Sequence, residues 1–225
     1  MSLVANGRRW RYSLQAGGVE ERQLGERDLR ALALDARLHR RLSVVSETEL
    51  AWLNQTLARA LRDAAEPRDA TEAWVAGDGE RLLPAAESGR NRLIGVSPIG
   101  EYVPLWDSEG PLGSEGLGAR VLRWGSGRVA AHLEPVQMAV LPAIAAATAA
   151  ARTLADDWGR DGLRVELIAD ETLGRRLRRC WYRQIPYLVV VAPQEVAAGK
   201  VEWRQRGQRH GVMVPAASIP ELTFR

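Results

Sequence analysis

The 225 residues suffice for one large domain or two small ones, and an apolar share of 46% beside 26% charged residues excludes a disordered chain. No apolar run approaches the roughly 20 residues that span a bilayer, and the opening MSLVANGRRWRYS lacks a signal-peptide stretch. One cysteine, Cys180, excludes an internal disulfide and fits a reducing compartment, so the expected location is the cytoplasm. The net charge of +3 is small but uneven, and Lys200 is the one lysine among the basic residues. Residues 160–225 carry 12 basic and 7 acidic side chains, the remainder 19 and 21. A polyanion would be drawn to the C-terminal part.

In chain order, Trp10, Tyr12 and Leu14 alternate with polar residues and predict a short strand. Leu34, Leu38 and Leu42 recur at helical spacing and end a first helix. Ser46 and Glu49 form a capping-box pair ahead of Leu50, Leu53, Leu57 and Leu61, predicting a second helix that stops near Pro67. Gly77-Asp78-Gly79 between residues 73–76 and 81–83 predicts a hairpin. A second hairpin is expected to pair residues 120–124 with 128–133 around Gly125-Ser126-Gly127. Between these hairpins Ser108 to Gly118, SEGPLGSEGLG, is the most loop-like segment. A domain boundary is expected near Glu134-Pro135.

The C-terminal part is more regular. Residues 136–141 predict an apolar strand, and Pro142 fits the first turn of a helix with a buried stripe of Ile144, Ala147, Ala151, Leu154 and Trp158. A strand over 163–168 and a helix over 173–184 follow. The run Tyr187 to Val191 reads as a strand covered on both faces, and residues 200–206 with 210–214 as a final hairpin. Strands alternating with helices predict an α/β fold, a mixed sheet with helices on its faces, behind an N-terminal α+β domain.

Residue types that carry catalysis are sparse. Three histidines (His39, His132, His210) and one cysteine give no metal-ligand spacing. Gly199-Lys200 resembles the end of a phosphate-binding loop, but Gln194 stands where its first glycine belongs. The expectation is therefore no catalytic residue, no metal and no cofactor. The helix from Leu173 stands apart. At 100° per residue Leu173, Leu177, Cys180, Trp181 and Gln184 share one arc, while Arg175, Arg176, Arg178, Arg179 and Arg183 are assigned to the other. Five arginines with no acid among them predict a phosphate-holding stripe, which positions RNA without reading its sequence.

Several ordered pieces then carry a family resemblance: Pro135-Val136-Gln137, residues 162–165, Leu173-Gly174, Leu177-Arg178 and Ile185-Pro186-Tyr187. The run from Glu195-Val196 through Gly199-Lys200-Val201 to Arg204 and Arg206 completes the set. From Glu134 onward the chain resembles the C-terminal anticodon-binding domain of class II aminoacyl-tRNA synthetases, the threonyl type above all. The resemblance implies that Glu195 and Arg204 contact anticodon bases, since carboxylate and guanidinium groups can both hydrogen-bond the base edges that single-stranded loops expose. Asp170 stands where that family has asparagine, and an ionised aspartate can only accept hydrogen bonds.

No class II catalytic motif is found upstream, and the first 130 or so residues resemble no known family. The expected function is a stand-alone, synthetase-like protein that binds tRNA or another structured RNA loop without aminoacylation. Its expected contacts are Asp170, Arg175, Arg176, Arg179, Arg183, Glu195, Arg204 and Arg206. The rivals are an interaction module retained as a homo-oligomer or synthetase partner, which eight tryptophans would support, and an enzyme with its site near Ser108 to Gly118.

Overall fold

The computed structural model describes residues 2–5, 8–13, 18–23, 26–63, 74–75, 81–87, 90–97, 101–107, 116–208 and 210–223. Strands β1 (Ser2–Ala5), β2 (Arg8–Ser13) and β3 (Gly18–Gln23) make an antiparallel sheet in that order. The strand expected around Trp10 and Tyr12 is β2; Leu14 lies outside the described residues. Helices α1 (Glu26–Leu42) and α2 (Glu47–Asp63) follow. The capping box forms as expected: the Ser46 N–H donates to Glu49 Oε2 at 2.9 Å, and the Glu49 N–H donates to Ser46 Oγ at 3.1 Å.

An antiparallel sheet then runs in the order β4 (Trp74–Val75), β5 (Arg81–Glu87), β6 (Arg90–Val96), β7 (Tyr102–Asp107). β4 and β5 are the predicted first hairpin, with Trp74 opposite Leu82; its Gly-Asp-Gly turn lies outside the described residues.

The second hairpin does not form. Residues 116–124 are instead helix α3 (Gly116–Trp124), whose Leu117, Val121 and Leu122 are buried. Gly125-Ser126-Gly127 is its C-terminal cap: the Gly127 N–H returns to the Leu122 carbonyl at 2.6 Å, with φ of 49° at Ser126 and 87° at Gly127. Glycine with positive φ serves a hairpin turn and a helix stop equally, so the local signal was ambiguous. The helix also takes the last three residues of the segment expected to be a loop, whose residues 108–115 lie outside the described ones. Leu53, Leu57 and Leu61 of α2 pack with Leu82, Leu93, Leu117, Val121, Leu122 and Leu133 into one core. Gly95 is needed there: a Cβ added to it would come within 2.5 Å of the Trp124 indole.

The C-terminal part is a five-stranded mixed sheet. Its elements are β8 (Met138–Pro142), α4 (Thr148–Arg160), β9 (Val165–Leu167), α5 (Leu173–Tyr182), β10 (Tyr187–Val191), α6 (Pro193–Ala197), β11 (Lys200–Gln205), β12 (Val212–Pro215) and α7 (Ile219–Thr223). The strand order is β12-β11-β10-β8-β9; β8 is parallel to β9 and β10, whereas β11 and β12 return as the predicted antiparallel hairpin. The α/β expectation holds. Pro142, expected to open a helix, closes β8 opposite Val191, at the end of the ladder where its missing N–H matters least. Ile144 is 55% exposed, and the buried stripe of α4 runs Ala151, Ala155, Trp158.

Each face of this sheet has its own core. Met138, Val140, Val189, Val191 and Val201 pack with Ala151, Trp158 and Ile219 on the α4 side. Ala139, Leu141, Ile168 and Val190 pack with Cys180 and Ile185 on the α5 side. Covering both faces explains the unbroken apolar run in β10. Among the described residues no helix is long and apolar enough to cross a membrane.

Candidate nucleic-acid interface

Helix α5 lies across the β8–β9 side of the sheet, and its arginines divide by what they touch. Arg176 is only 6% exposed. Its Nε donates to the Glu171 carbonyl at 2.6 Å, and its Nη1 to the carbonyls of Pro142 at 2.6 Å and Ile168 at 3.4 Å. These carbonyls mark the ends of β8 and β9 and the approach to α5, so this guanidinium ties three chain segments together. Its expected place on the outer arc is corrected. Trp181, expected inside, is 65% exposed.

On the β9 side the remaining charges are paired. Arg179 Nη1 donates to Asp170 Oδ2 at 2.9 Å, and Glu166 lies 3.8 Å from its other amino group. The bond from Arg179 holds the exposed Asp170 carboxyl below the usual aspartate range. Arg183 donates to Glu166 and, at 3.0 Å, to Glu49 Oε1 of α2. It also lies beside Arg41, which donates to the Arg183 carbonyl. Burial alone would raise the Glu49 carboxyl, but the Ser46 N–H and Arg183 outweigh it and leave it lowered.

A folded pKa below the unfolded one contributes stability above the unfolded value, near pH 4.5, and loses it as pH falls through the lower folded value. Glu49→Gln is therefore expected to melt below the parent protein at neutral pH, by about 1–2 kcal/mol. That gap should close on acidification below pH 4.5; a gap constant with pH, in parallel thermal melts, would contradict the ion pair.

Arg206 belongs to a buried junction. Glu134, 1% exposed, accepts from Arg41 Nη2 and from Arg206 Nη1, each at 3.0 Å. Arg206 also donates to the carbonyls of Gln184 and Val129, both at 2.9 Å. Nearby, Arg164 donates to the carbonyls of Glu134 and His132 and lies over the Trp52 ring, 4.8 Å from its centroid. Arg128 Nε donates to Gln184 Oε1 at 2.9 Å. The positive charge of this region is largely spent on joining α1, α2 and the segment before β8 to the mixed sheet.

Arg204 and Glu195 do not meet. Arg204 sits opposite Leu188 at the entry of β10, whereas Glu195 is on α6, beyond that strand's exit. Arg204 pairs with Glu202, two residues back on the same face of β11, at 2.7 Å. Glu195 Oε2 is enclosed and meets no hydrogen-bond donor among the described residues. Arg175 and Arg178 are exposed on α5.

Between α5 and the turn after β11 runs a groove of about 300 Å³, walled by Leu177, Ile185 and Leu188 and bordered by Arg178, Trp181 and Arg204. Cys180 contributes to it, but burial pushes its thiol up to about 12, so it is no nucleophile at neutral pH. Iodoacetamide is expected to spare the native protein and to label it in denaturant; fast native labelling, read by mass, would contradict this burial.

Sequence reasoning missed four acids that organise the site: Glu49, Glu134, Glu166 and Glu202. Glu49 was legible only as a helix cap, and of the pairings with arginine only that of Glu202 carried a local signal, since residues two apart on a strand share a face.

The Anticodon binding domain family matches residues 137–222. This part of the chain resembles the anticodon-binding domain of aminoacyl-tRNA synthetases. Among curated proteins it is similar to the threonine–tRNA ligase of Thermofilum pendens, 38% identical over 94 residues, which are 41% of this chain and 15% of that protein. The Thermotoga neapolitana threonine–tRNA ligase is 39% identical over 75 residues, 33% of this chain and 12% of that protein. The domain thus resembles the threonyl type, and the match spans about 15% of the length of the first of these relatives. The RNA binding domain of Cryptosporidium parvum Iowa II threonyl-tRNA synthetase superposes with a TM-score of 0.49 and 15% identity, over 60% of this chain and 42% of that one.

Proposed function

We propose that the chain is a synthetase-like RNA-binding protein that holds tRNA, or another structured RNA loop, without itself aminoacylating it. The observation that carries this reading is the match of residues 137–222 to the Anticodon binding domain family. In this reading residues 135–225 form the RNA-binding domain and residues 1–134 an α+β domain packed against it. Arg175, Arg178 and Arg179 contact phosphates, and Asp170, Glu195 and Arg204 face bases. Arg176, Arg183 and Arg206 hold the scaffold in place, because their donors are already engaged.

Substitution separates the roles. Arg175→Ala and Arg178→Ala are expected to weaken all RNAs alike, each lowering the salt slope by about 0.7–1. Arg204→Ala is expected to relax discrimination among loop sequences by about 1–3 kcal/mol. Filter binding of a panel of loop sequences across salt reads both, and three variants that match the parent would refute the assignment.

A second reading, an interaction module that has lost RNA contacts, is favoured by β12. Val212 and Met213 are 51% and 49% exposed on this edge strand. Purified protein that ignores RNA and sediments as a stable homo-oligomer, or captures a synthetase, would place this reading first.

A further inference from the structure

We propose that Trp181 is a stacking platform for one unpaired nucleobase, seated in the groove between α5 and the turn after β11. The inference rests on the RNA-binding reading and adds to it a contact outside the residues assigned above. A tryptophan 65% exposed on a helix whose other apolar side chains are covered has a large surface left in water. Beside it the groove of about 300 Å³ is apolar at its walls, through Leu177, Ile185 and Leu188. Its bordering residues include Arg178, Gln208 and Arg204, whose guanidinium is paired with Glu202.

This combination fits a flat apolar ring attached to an anionic backbone. The indole and the walls receive the faces of the base, Gln208 and Arg204 reach its edge, and Arg178 faces the neighbouring phosphate. An apolar peptide would gain nothing from the exposed Arg178 cation, and a duplex would present no free base face. Gln184 Nε2 donates to the Trp181 carbonyl at 2.6 Å, which fixes the last turn of α5 from which the indole projects. Stacking of this kind tolerates sequence, because every base has a π-face.

The test uses the full chain, a labelled RNA hairpin with a short single-stranded loop, the same hairpin with abasic loop nucleotides, and a blunt duplex of equal length. Trp181→Ala is expected to weaken the intact hairpin about 10-fold. It should leave the abasic hairpin, the duplex and the salt slope unchanged, while Trp181→Phe retains most of the affinity. Thermal melts check that both variants fold, as an exposed position permits. If the parent binds the intact hairpin and Trp181→Ala binds it equally well, the stacking role is overturned and RNA binding stands. Equal weakening toward all three RNAs also overturns it, since that is an electrostatic or folding effect. If the parent binds none of them, the RNA reading itself falls, and the platform with it.

Discussion

Glu134→Ala is expected to destabilise the folded chain by about 3–5 kcal/mol, a large part of the 5–15 kcal/mol or so that holds a domain together. The carboxylate is 1% exposed and is shared by Arg41, itself 2% exposed, and Arg206. Removing it leaves two guanidiniums enclosed without their counter-charge, and leaving such charges unpaired costs more than the pair itself contributes. Glu134→Gln keeps the shape and one acceptor but not the charge, and should fall between. Urea unfolding decides the matter. A midpoint change worth under about 1 kcal/mol for the alanine variant would mean that this junction is solvated.

Arg176→Ala is expected to cost about 3 kcal/mol, because a charged donor leaves the carbonyls of Glu171, Pro142 and Ile168 at the ends of two strands. The second half of this prediction bears on function. At a temperature where the variant is still folded, its RNA affinity should match the parent's. A variant of unchanged stability but weakened RNA binding would restore Arg176 to the phosphate stripe. Arg176→Lys should recover only part of the loss, since one ammonium cannot reproduce the planar fork.

How legible these features were depends on the range over which their causes act. The capping box of Ser46 and Glu49 spans one helical turn and was readable in full. So was β10, whose apolar run needs only the knowledge that both faces are covered. The arc of α5 was readable in outline but not at its margins. Arg176 and Trp181 flank the centre of its apolar arc at similar angles, each about 70° away. Side-chain type then favours tryptophan inside and arginine outside. Tertiary surroundings reverse the choice: one flank meets strand-end carbonyls that accept hydrogen bonds, and the other meets an open groove.

Pairings such as Arg183 with Glu49 or Arg206 with Glu134 join residues 134 and 72 apart and left no local trace. The uneven charge of the C-terminal part was real in the count. Much of it is consumed at the contact with the N-terminal elements, while Arg175 and Arg178 stay exposed on α5. Helix α3 was missed because its glycine-rich cap resembles a hairpin turn and its first residues fall in a glycine-rich stretch that reads as a loop.

The most direct test of the central claim is binding of the purified chain to unfractionated tRNA across a salt series, with sequencing of what remains bound. The account predicts retention that weakens steeply with salt and is enriched in tRNAs sharing an anticodon feature. No retention at low salt would contradict it.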